Sequence, residues 1–452
     1  MKIRNLSVEE VEDGRRITAD IMGSVVRERV LTRLRRLPRR ASNAIRRPIS
    51  AVLVFLWRRL MVRTTVIAIT GSVGKTTCKE CLAAALESHG AVVKTFQNQN
   101  DRFGLPKTIR AMRPWHRFAV VELGTQSPGD MRRLARLVKP DIAVVLCVAR
   151  THTGQFKDLD ETAAEKAELL SVLSPRGIAV LNTDDPRVRS MAEGRKLRTI
   201  FFGSAPGCDY RAQAAESRWP DRLRFEVVSG EQRFDVRTQL VGTHWLSSVL
   251  AALAAAAACG IPIEEAARRI GRVPPSPGRM QPVALPSGAI IMRDEENGSP
   301  DTVEAMFEVL RNASTNRRGL VFSDQSDSKA SPRKRLRTIG RLASELCDFA
   351  VFVGEHAQHG VAAATAAGMD PSCCAGFYNL RDAAQWLKHA LRPDDLVFLK
   401  GRSTDHLSRI LFAQFGSIGC WKSKCSIRGL CDFCERLAPD FDAKKVLECH
   451  TR

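Results

Sequence analysis

Short apolar runs alternate with amphipathic segments along the chain from residue 64 onward. The apolar runs are rich in Val, Ile, Leu and Ala, as expected for the buried strands of a parallel sheet. They predict strands at 65–70, 118–123, 142–148 and 178–182. The segments between them predict helices at 75–88, 128–137 and 161–173. Strands that alternate with helices in this way are typical of a parallel sheet covered by helices.

A second region of the same character follows Ser276-Pro277-Gly278, which we interpret as a joint between domains. Before the joint, residues 208–241 predict short strands, and the alanine-rich run 246–259 predicts a buried helix. Beyond it, the pattern predicts a smaller α/β unit with strands near 288–292, 319–323, 349–353 and 396–399. We therefore expect an α/β protein in four parts: a basic helical segment 1–63, domains at 64–275 and 276–415, and a Cys-rich tail 416–452.

The N-terminal segment carries much of the positive charge. The formal net charge of the chain is +21, and residues 1–63 contribute 16 Lys or Arg against 6 Asp or Glu. Within residues 23–63, apolar positions recur at helical spacing among arginines, and Ile49 to Trp57 is an uncharged run between arginine pairs. Such a segment suits a membrane interface. Two other interpretations stay open: helices that pack on the following domain with a solvated arginine face, or contact with nucleic acid, for which no base-reading motif is present.

Composition also bears on the compartment. No stretch reaches the roughly 18 apolar residues that a membrane span needs, and the first 20 residues are too polar for a secretory signal. The 13 cysteines are odd in number and widely spread, which favours reduced thiols. We expect a cytoplasmic protein, with contact to the inner face of the membrane as a further hypothesis.

A glycine-rich turn follows the first predicted strand and opens the first predicted helix. It reads Thr70-Gly71-Ser72-Val73-Gly74-Lys75-Thr76-Thr77. Glycines allow the backbone to approach phosphate closely, and the amides at a helix start point at its negative charge. The lysine would pair with the β- and γ-phosphates, and the hydroxyl of Thr76 would reach Mg²⁺. Ile69 stands where the common phosphate-binding loop has its first glycine, so this is the shorter T-G-x-x-G-K-T-T form.

Further motifs follow in a fixed order over more than 300 residues. They are Asn98-Gln99-Asn100-Asp101, Gly104-Leu105-Pro106 with Thr108, Val121-Glu122-Leu123-Gly124, Thr151-His152, Ala163 to Glu168, Leu181-Asn182-Thr183-Asp184-Asp185, Gly278-Arg279-Met280-Gln281, Asp294, Asn297, Pro300 and Lys400-Gly401. Together with the short loop they resemble the Mur ligases. The first of these stretches is most similar to the branch that adds a D-alanyl-D-alanine dipeptide to the peptidoglycan precursor.

The resemblance implies a reaction and a fold. Mur-type ligases use ATP and Mg²⁺ to join a carboxylate to an amine through an acyl phosphate, with ADP and phosphate as products. Their central domain is a phosphate-loop ATPase, and their third domain is Rossmann-like. We expect small-molecule carboxylate and amine substrates from a cell-wall or peptide-like pathway. A ligase that adds D-alanyl-D-alanine with its sugar-binding part on another chain, and a non-catalytic ATP-binding regulator, are the alternatives.

The resemblance also implies roles for single residues. Lys75 would neutralise phosphoryl charge, and Thr76 and Glu122 would hold Mg²⁺. His152 matches a second-metal histidine, and Lys166 matches a lysine that these enzymes carbamylate to make a metal ligand. Arg279 and Asp294 should meet the nucleotide when the third domain closes, with Asn297 on the ribose side; Lys400 would face substrate.

Departures from the family pattern concern substrate specificity. Cys147, Trp245 and Ser248 stand where the family has asparagines, and the D-S-Y-N segment reads Asp294-Glu295-Glu296-Asn297. The basic segment 1–63 ahead of the ATPase region also differs from the globular domain with which muropeptide ligases grip a UDP-sugar. The resemblance therefore implies the reaction but argues against the usual UDP-linked substrate.

The tail carries a separate motif, Cys420, Cys425, Cys431 and Cys434, with Cys449-His450 near the end. Four thiolates within fifteen residues can surround one tetrahedral metal ion. Zinc, an iron–sulfur cluster and cysteines without metal all stay open on this spacing.

Overall fold

The computed structural model describes residues 52–150, 156–422, 425, 427 and 429–450. The chain divides into two compact units, Met1–Leu60 and Met61–Arg452. In the first unit, residues 52–60 form a helix, and residues 1–51 of the basic segment lie outside the described residues. Across the described ranges, no helix combines the length and apolarity that a membrane crossing requires.

The second unit begins with a nine-stranded sheet, ordered β2-β3-β1-β4-β5-β6-β7-β8-β9. Its strands are β1 (Thr65–Thr70), β2 (Val92–Lys94), β3 (Phe118–Glu122), β4 (Ile142–Val145), β5 (Ile178–Asn182), β6 (Arg198–Gly203), β7 (Tyr210–Glu216), β8 (Arg224–Ser229) and β9 (Gln232–Arg237). Strands β1 to β7 pair in parallel, and β7 to β9 form an antiparallel meander. The central strands are buried along their length, which explains their continuous apolar runs.

Helices cover this sheet. They are α1 (Lys75–Leu86), α2 (Leu105–Ala111), α3 (Asp130–Val138), α4 (Leu159–Ala167), α5 (Pro186–Ser190), α6 (Leu246–Ala258) and α7 (Ile263–Ile270). The alanine-rich α6 packs against α1, and its small side chains allow the two helices to approach closely. This contact places the start of α1, and with it the glycine-rich turn, over the carboxyl ends of β1 and β4.

A six-stranded sheet, ordered β10-β11-β15-β12-β13-β14, follows in the same unit. Its strands are β10 (Gln281–Ala284), β11 (Ile290–Asp294), β12 (Arg317–Phe322), β13 (Phe349–Val353), β14 (Cys374–Phe377) and β15 (Asp395–Lys400). All pairings are parallel except that of the edge strand β10 with β11. The helices of this part are α8 (Pro300–Asn312), α9 (Pro332–Leu346), α10 (Ala357–Ala366), α11 (Leu380–Ala390), α12 (Ser408–Phe412) and α13 (Ala443–His450).

The α/β class and the two sheets with covering helices are confirmed. The strands predicted near 65–70, 118–123, 142–148 and 178–182 are all present, with ends that differ by at most three residues. The predicted helices at 75–88, 128–137 and 161–173 correspond to α1, α3 and α4, the last followed by a short 3-10 turn. The domain boundaries at 63/64, 275/276 and 415/416 stay predictions.

Candidate active site

The glycine-rich turn joins the carboxyl end of β1 to the start of α1. Gly74 has φ +83°, and a Cβ at this position would lie 2.4 Å from Ser248 Oγ, so the conformation and the space both require glycine. The turn is also tied to the loop after β4: Ser72 N donates to Cys147 O (2.9 Å), and Ala149 N donates to Ser72 Oγ (2.9 Å). The loop is therefore held in a fixed shape by two neighbouring elements.

The ammonium group of Lys75 lies over this turn. Its Nζ donates to Gly71 O (2.7 Å) and Ser72 O (3.1 Å). Burial lowers the pKa of Lys75 because the charged form loses water, and the Glu122 carboxylate opposes that shift. A cation in this position, next to helix amides, is a suitable partner for the outer phosphates of a nucleotide.

Glu122, the last residue of β3, is the buried carboxylate next to the turn. It is 1% exposed, accepts from Thr76 Oγ1 (3.1 Å) at Oε2, and accepts from Asn100 Nδ2 (2.7 Å) at Oε1. The hydroxyl and the carboxylate are hard oxygen donors of the type that Mg²⁺ binds. The structure thus brings together two of the residues that the sequence predicts as metal ligands, Thr76 and Glu122.

Lys79 is a charged neighbour that sequence analysis missed. Its ammonium is fully buried, 3.8 Å from Glu122 Oε2, and donates to Gln97 O (2.7 Å). It lies one helical turn beyond Lys75 on α1, so the i, i+4 spacing places both amines on one face. That spacing was visible in the sequence and could have identified it.

Lys166 is buried in α4 with 5% exposure. Burial, and then repulsion from Lys75, lower the pKa of its amine to about 7. The neighbouring Glu165 has a different role, because its carboxylate accepts from Gly129 N (2.7 Å) and Met131 N (2.6 Å) at the start of α3. A buried lysine with a pKa near neutrality has a substantial fraction of neutral amine, which can act as a nucleophile.

Residues of the second sheet face this site from the other side. Asn98 Nδ2 donates to Glu296 Oε1 (3.2 Å), and Arg279 Nη2 lies 3.9 Å from the same oxygen. Arg279 is also close enough to Lys75 to lower its pKa. These contacts join the sequence-predicted Arg279 to the phosphate-loop side of the site.

Asp294 and Lys400 form a buried ion pair at the ends of β11 and β15, which are neighbours in the sheet. Burial raises the pKa of Asp294 and lowers the pKa of Lys400, because neither charged form is solvated, and the ion pair opposes both shifts. Lys400 also contributes to lowering the pKa of His244, although burial is the larger cause, and the value falls to about 3. His244 is therefore neutral near pH 7.

Asn297 has a local role in the structure. Its Oδ1 accepts from Ser299 N (2.9 Å), and its carbonyl accepts from Thr302 Oγ1 (3.1 Å), next to the start of α8. The contact expected with the ribose side of a nucleotide is not tested by this arrangement and stays a prediction.

The remaining expected site residues fall into three groups. Thr70 and Thr77 are buried beside the turn, and the carbonyl of Val73 accepts a weak bond from Cys147 Sγ (3.8 Å). His152 lies outside the described residues. The four tail cysteines, Cys420, Cys425, Cys431 and Cys434, line one small pocket.

Preformed metal clusters are absent from the described part of the chain: no three His, Cys, Asp or Glu side chains in it lie close enough to hold a metal ion. In this conformation the tail cysteines therefore share a pocket without forming a ligand cluster. Cys420 and Cys431 are buried, whereas Cys425 and Cys434 are half-buried.

Two domain families match the chain. Residues 69–256 match the Mur ligase middle domain, and residues 278–403 match the Mur ligase glutamate ligase domain. A UDP-N-acetylmuramoyl-tripeptide--D-alanyl-D-alanine ligase of Mycobacterium tuberculosis is 29% identical over 376 residues, covering 79% of this chain and 74% of the relative. The enzyme of the same name from Escherichia coli is 28% identical over 316 residues, covering 69% of each chain.

Solved structures agree with these matches. MurF from Acinetobacter baumannii superimposes with a TM-score of 0.71 at 25% identity, covering 81% of this chain and 79% of the other. MurF ligase from Thermotoga maritima in complex with ADP gives 0.69 at 22% identity, covering 80% and 82%. A pseudomurein peptide ligase type C from Methanothermus fervidus shares the fold at 0.61 and 20% identity, covering 77% and 79%. With both catalytic domains matched in order around an intact phosphate-loop site, this chain belongs to the Mur ligase family of ATP-dependent amide ligases.

Proposed function

We propose that this ligase activates a substrate carboxylate with ATP and transfers the acyl group to an amine, using Lys75, Thr76, Glu122 and Lys166. The observation that carries the proposal is the arrangement around Glu122: a buried carboxylate bonded to Thr76 of the phosphate loop, with Lys75 over the same loop. A nucleotide-binding regulator would need the loop, but neither a buried carboxylate bonded to that loop nor a buried lysine whose pKa is lowered to about 7.

The proposed reaction has two steps. A carboxylate oxygen attacks the γ-phosphorus of ATP, the bond from that phosphorus to the bridging oxygen breaks, and ADP leaves. The amine then attacks the acyl carbon, the bond from that carbon to the phosphate oxygen breaks, and phosphate leaves as the amine loses a proton. In the first step the protein must position the reactants and neutralise phosphoryl charge.

Residues of this chain supply those needs. Lys75 and the amides at the start of α1 would bind the phosphates and neutralise part of their negative charge. Thr76 and Glu122 would hold Mg²⁺, which supplies further neutralisation of the phosphoryl oxygens. Arg279 and the Asp294–Lys400 pair approach from the second sheet and would complete the nucleotide side of the site. Lys400 is fully buried against Asp294, so we assign it a positioning role for that carboxylate.

Two observations bear on the identity of the substrate, and they favour different substrates. The curated relatives are named for adding D-alanyl-D-alanine to a UDP-muramoyl tripeptide, which favours that reaction. The loop after β11 carries Glu295 and Glu296, which favours a different substrate, because Glu296 contacts Asn98 across the site. We propose a carboxylate and an amine of a cell-envelope or peptide-like pathway, with the muropeptide as the second candidate.

Turnover tests the ligase activity first. Purified protein with ATP and Mg²⁺ should release ADP and phosphate when a small-metabolite extract is added, and Lys75→Ala should lower the rate by at least 100-fold. Lys388→Ala, an exposed lysine on α11, is the matched control and should retain full rate. UDP-muramoyl tripeptide with D-alanyl-D-alanine, tested in a parallel assay, decides the second candidate. Measurable ATP binding without stimulation by either addition would favour a regulator.

Carbamylation of Lys166 gives a pH-dependent prediction. Only the neutral amine reacts with CO₂, and with a pKa of about 7 its fraction rises between pH 6 and pH 8. At constant dissolved ¹³CO₂, the carbamate carbon signal in NMR should therefore grow several-fold over this range and be absent in Lys166→Arg. A signal that is equal in the variant would show that another amine reacts.

The basic N-terminal segment supports a further proposal, peripheral contact with an anionic membrane through residues 23–63. In the described helix 52–60, Val52, Leu53, Phe55 and Leu56 are exposed, and Arg59 lies over the Phe55 ring. Exposed apolar side chains next to arginines are suited to a lipid interface.

Flotation with anionic vesicles tests this contact. The full chain should float with the vesicles, and a chain lacking residues 1–63 should stay at the bottom, provided that both unfold at similar temperatures. High salt should reduce the recovery of the full chain because the charge attraction is screened. Equal recovery of both chains would refute membrane contact through this segment.

A further inference from the structure

A residue of the cysteine tail forms a buried ion pair with β11 of the second sheet. Asp432 lies between Cys431 and Cys434, and its carboxylate is bonded to both terminal nitrogens of Arg293 (2.7 and 2.9 Å). The two side chains are 1% and 0% exposed. A bidentate bond of this kind, out of water, fixes the position and the orientation of both groups.

We propose that the four tail cysteines bind one Zn²⁺ ion, and that this centre holds Asp432 on Arg293 and so completes the nucleotide side of the active site. The metal-binding part goes beyond the proposed function. The link between the metal centre and the nucleotide side of the active site rests on the proposed function.

The composition of the pocket supports metal binding. All four cysteines line it, together with His406, Arg409 and Lys422. His406 is 5% exposed, and its buried Nε2 has no hydrogen-bond partner among the described residues. Arg409 is 1% exposed and donates from Nε to Cys431 Sγ (3.4 Å) and from Nη1 to Lys422 O. A buried guanidinium on a sulfur is a suitable outer partner for thiolates whose total charge exceeds that of the ion.

The local backbone already brings the cysteines near one another. Cys431–Phe433 is a 3-10 turn, and Cys434 N donates to Cys431 O (3.0 Å), so both thiols start from one turn. Gly419 N donates to Leu437 O (2.7 Å), which ties the residue before Cys420 to the chain just after that turn. These bonds hold Cys420, Cys431 and Cys434 at one pocket, which Cys425 also lines. Bound Zn²⁺ would draw the four sulfurs to about 2.3 Å from the ion.

The small hydrophobic core of the tail also favours a stabilising cross-link within it. In the described part of the tail, three buried residues, Ile418, Cys431 and Leu437, form a cluster with Phe412 of α12, and the partly buried Trp421, Phe441, Ala443 and Leu447 pack around it. So small a hydrophobic core provides little stability by itself, and natural segments of this size are commonly held by a metal or by disulfides. No disulfide joins the cysteines that the structure describes, and the proposed Zn²⁺ would be the cross-link of this segment.

The connection to the active site runs through neighbouring residues of β11. Besides Asp432, Arg293 donates from Nε to Glu295 Oε1 (2.9 Å) and from Nη1 to Gln281 Oε1 (3.2 Å). Burial opposes the charged guanidinium, but the two carboxylates outweigh it and hold the pKa of Arg293 above its ordinary value. The next residue is Asp294, paired with Lys400, and Glu296 follows at the contact with Asn98. The tail therefore helps to fix the loop after β11, which contacts Asn98 on the phosphate-loop side of the site.

Metal analysis tests the first part of the proposal. The full chain, purified without a histidine tag, should contain about one zinc per molecule by elemental analysis, and Cys431→Ser or Cys434→Ser should retain less than about a fifth of it. Cys373→Ser, outside the pocket, is the matched control and should retain all of it. Absence of metal from the unaltered chain, equal metal in all variants, or iron with stoichiometric sulfide would overturn the assignment.

ATP affinity tests the second part without requiring the unknown substrates. Asp432→Asn should retain zinc but bind Mg-ATP at least threefold more weakly, Asp432→Glu should recover part of the loss, and Cys434→Ser should match Asp432→Asn. Unchanged affinity in Asp432→Asn would overturn the link between tail and active site. If the unaltered chain binds no ATP, the proposed function fails, whereas the zinc result stands independently.

Discussion

The buried carboxylate of Glu122 is the constraint on which the site depends. A charge with 1% exposure is costly unless partners replace the water that it has lost. Here Thr76, Asn100 and Lys79 supply those partners. Removing one partner of such a group costs about 3–5 kcal/mol, as a rule for buried ion pairs. The phosphate loop, the Asn98–Asp101 stretch and α1 are therefore held in a common geometry by one side chain.

The second sheet adds a second set of buried charges that depend on one another. Asp294 with Lys400, and Arg293 with Glu295 and Asp432, alternate along the end of β11 and the loop after it. Each pair is a poor source of stability by itself, because desolvation offsets most of the attraction. Their main effect is to fix the positions of the paired side chains, because charged groups that have lost water must stay paired. This requirement connects the tail, β15 and the loop that reaches Asn98.

The sequence predicted the fold and the phosphate-loop side of the site well, for physical reasons. Buried parallel strands need continuous apolar runs, and a loop that approaches phosphate needs glycines, so both leave clear local patterns. The contacts of Lys79 and Arg293 were not predicted. The i, i+4 spacing from Lys75 indicates the helix face of Lys79, but only tertiary packing shows that the partners of Lys79 and Arg293 are buried carboxylates. The Arg293–Asp432 pair spans 139 residues, a separation that no local pattern reveals.

The dependence of ATP binding on Mg²⁺ in Glu122→Gln tests the central claim most directly. Calorimetry should show that Mg²⁺ strengthens ATP binding to the unaltered chain at least tenfold. The same gain should appear in Glu193→Gln, an exposed control, and should be lost in Glu122→Gln, with binding of metal-free ATP little changed. A Glu122→Gln chain that keeps the full Mg²⁺-dependent gain would show that the buried carboxylate does not hold the ion, and would contradict the account.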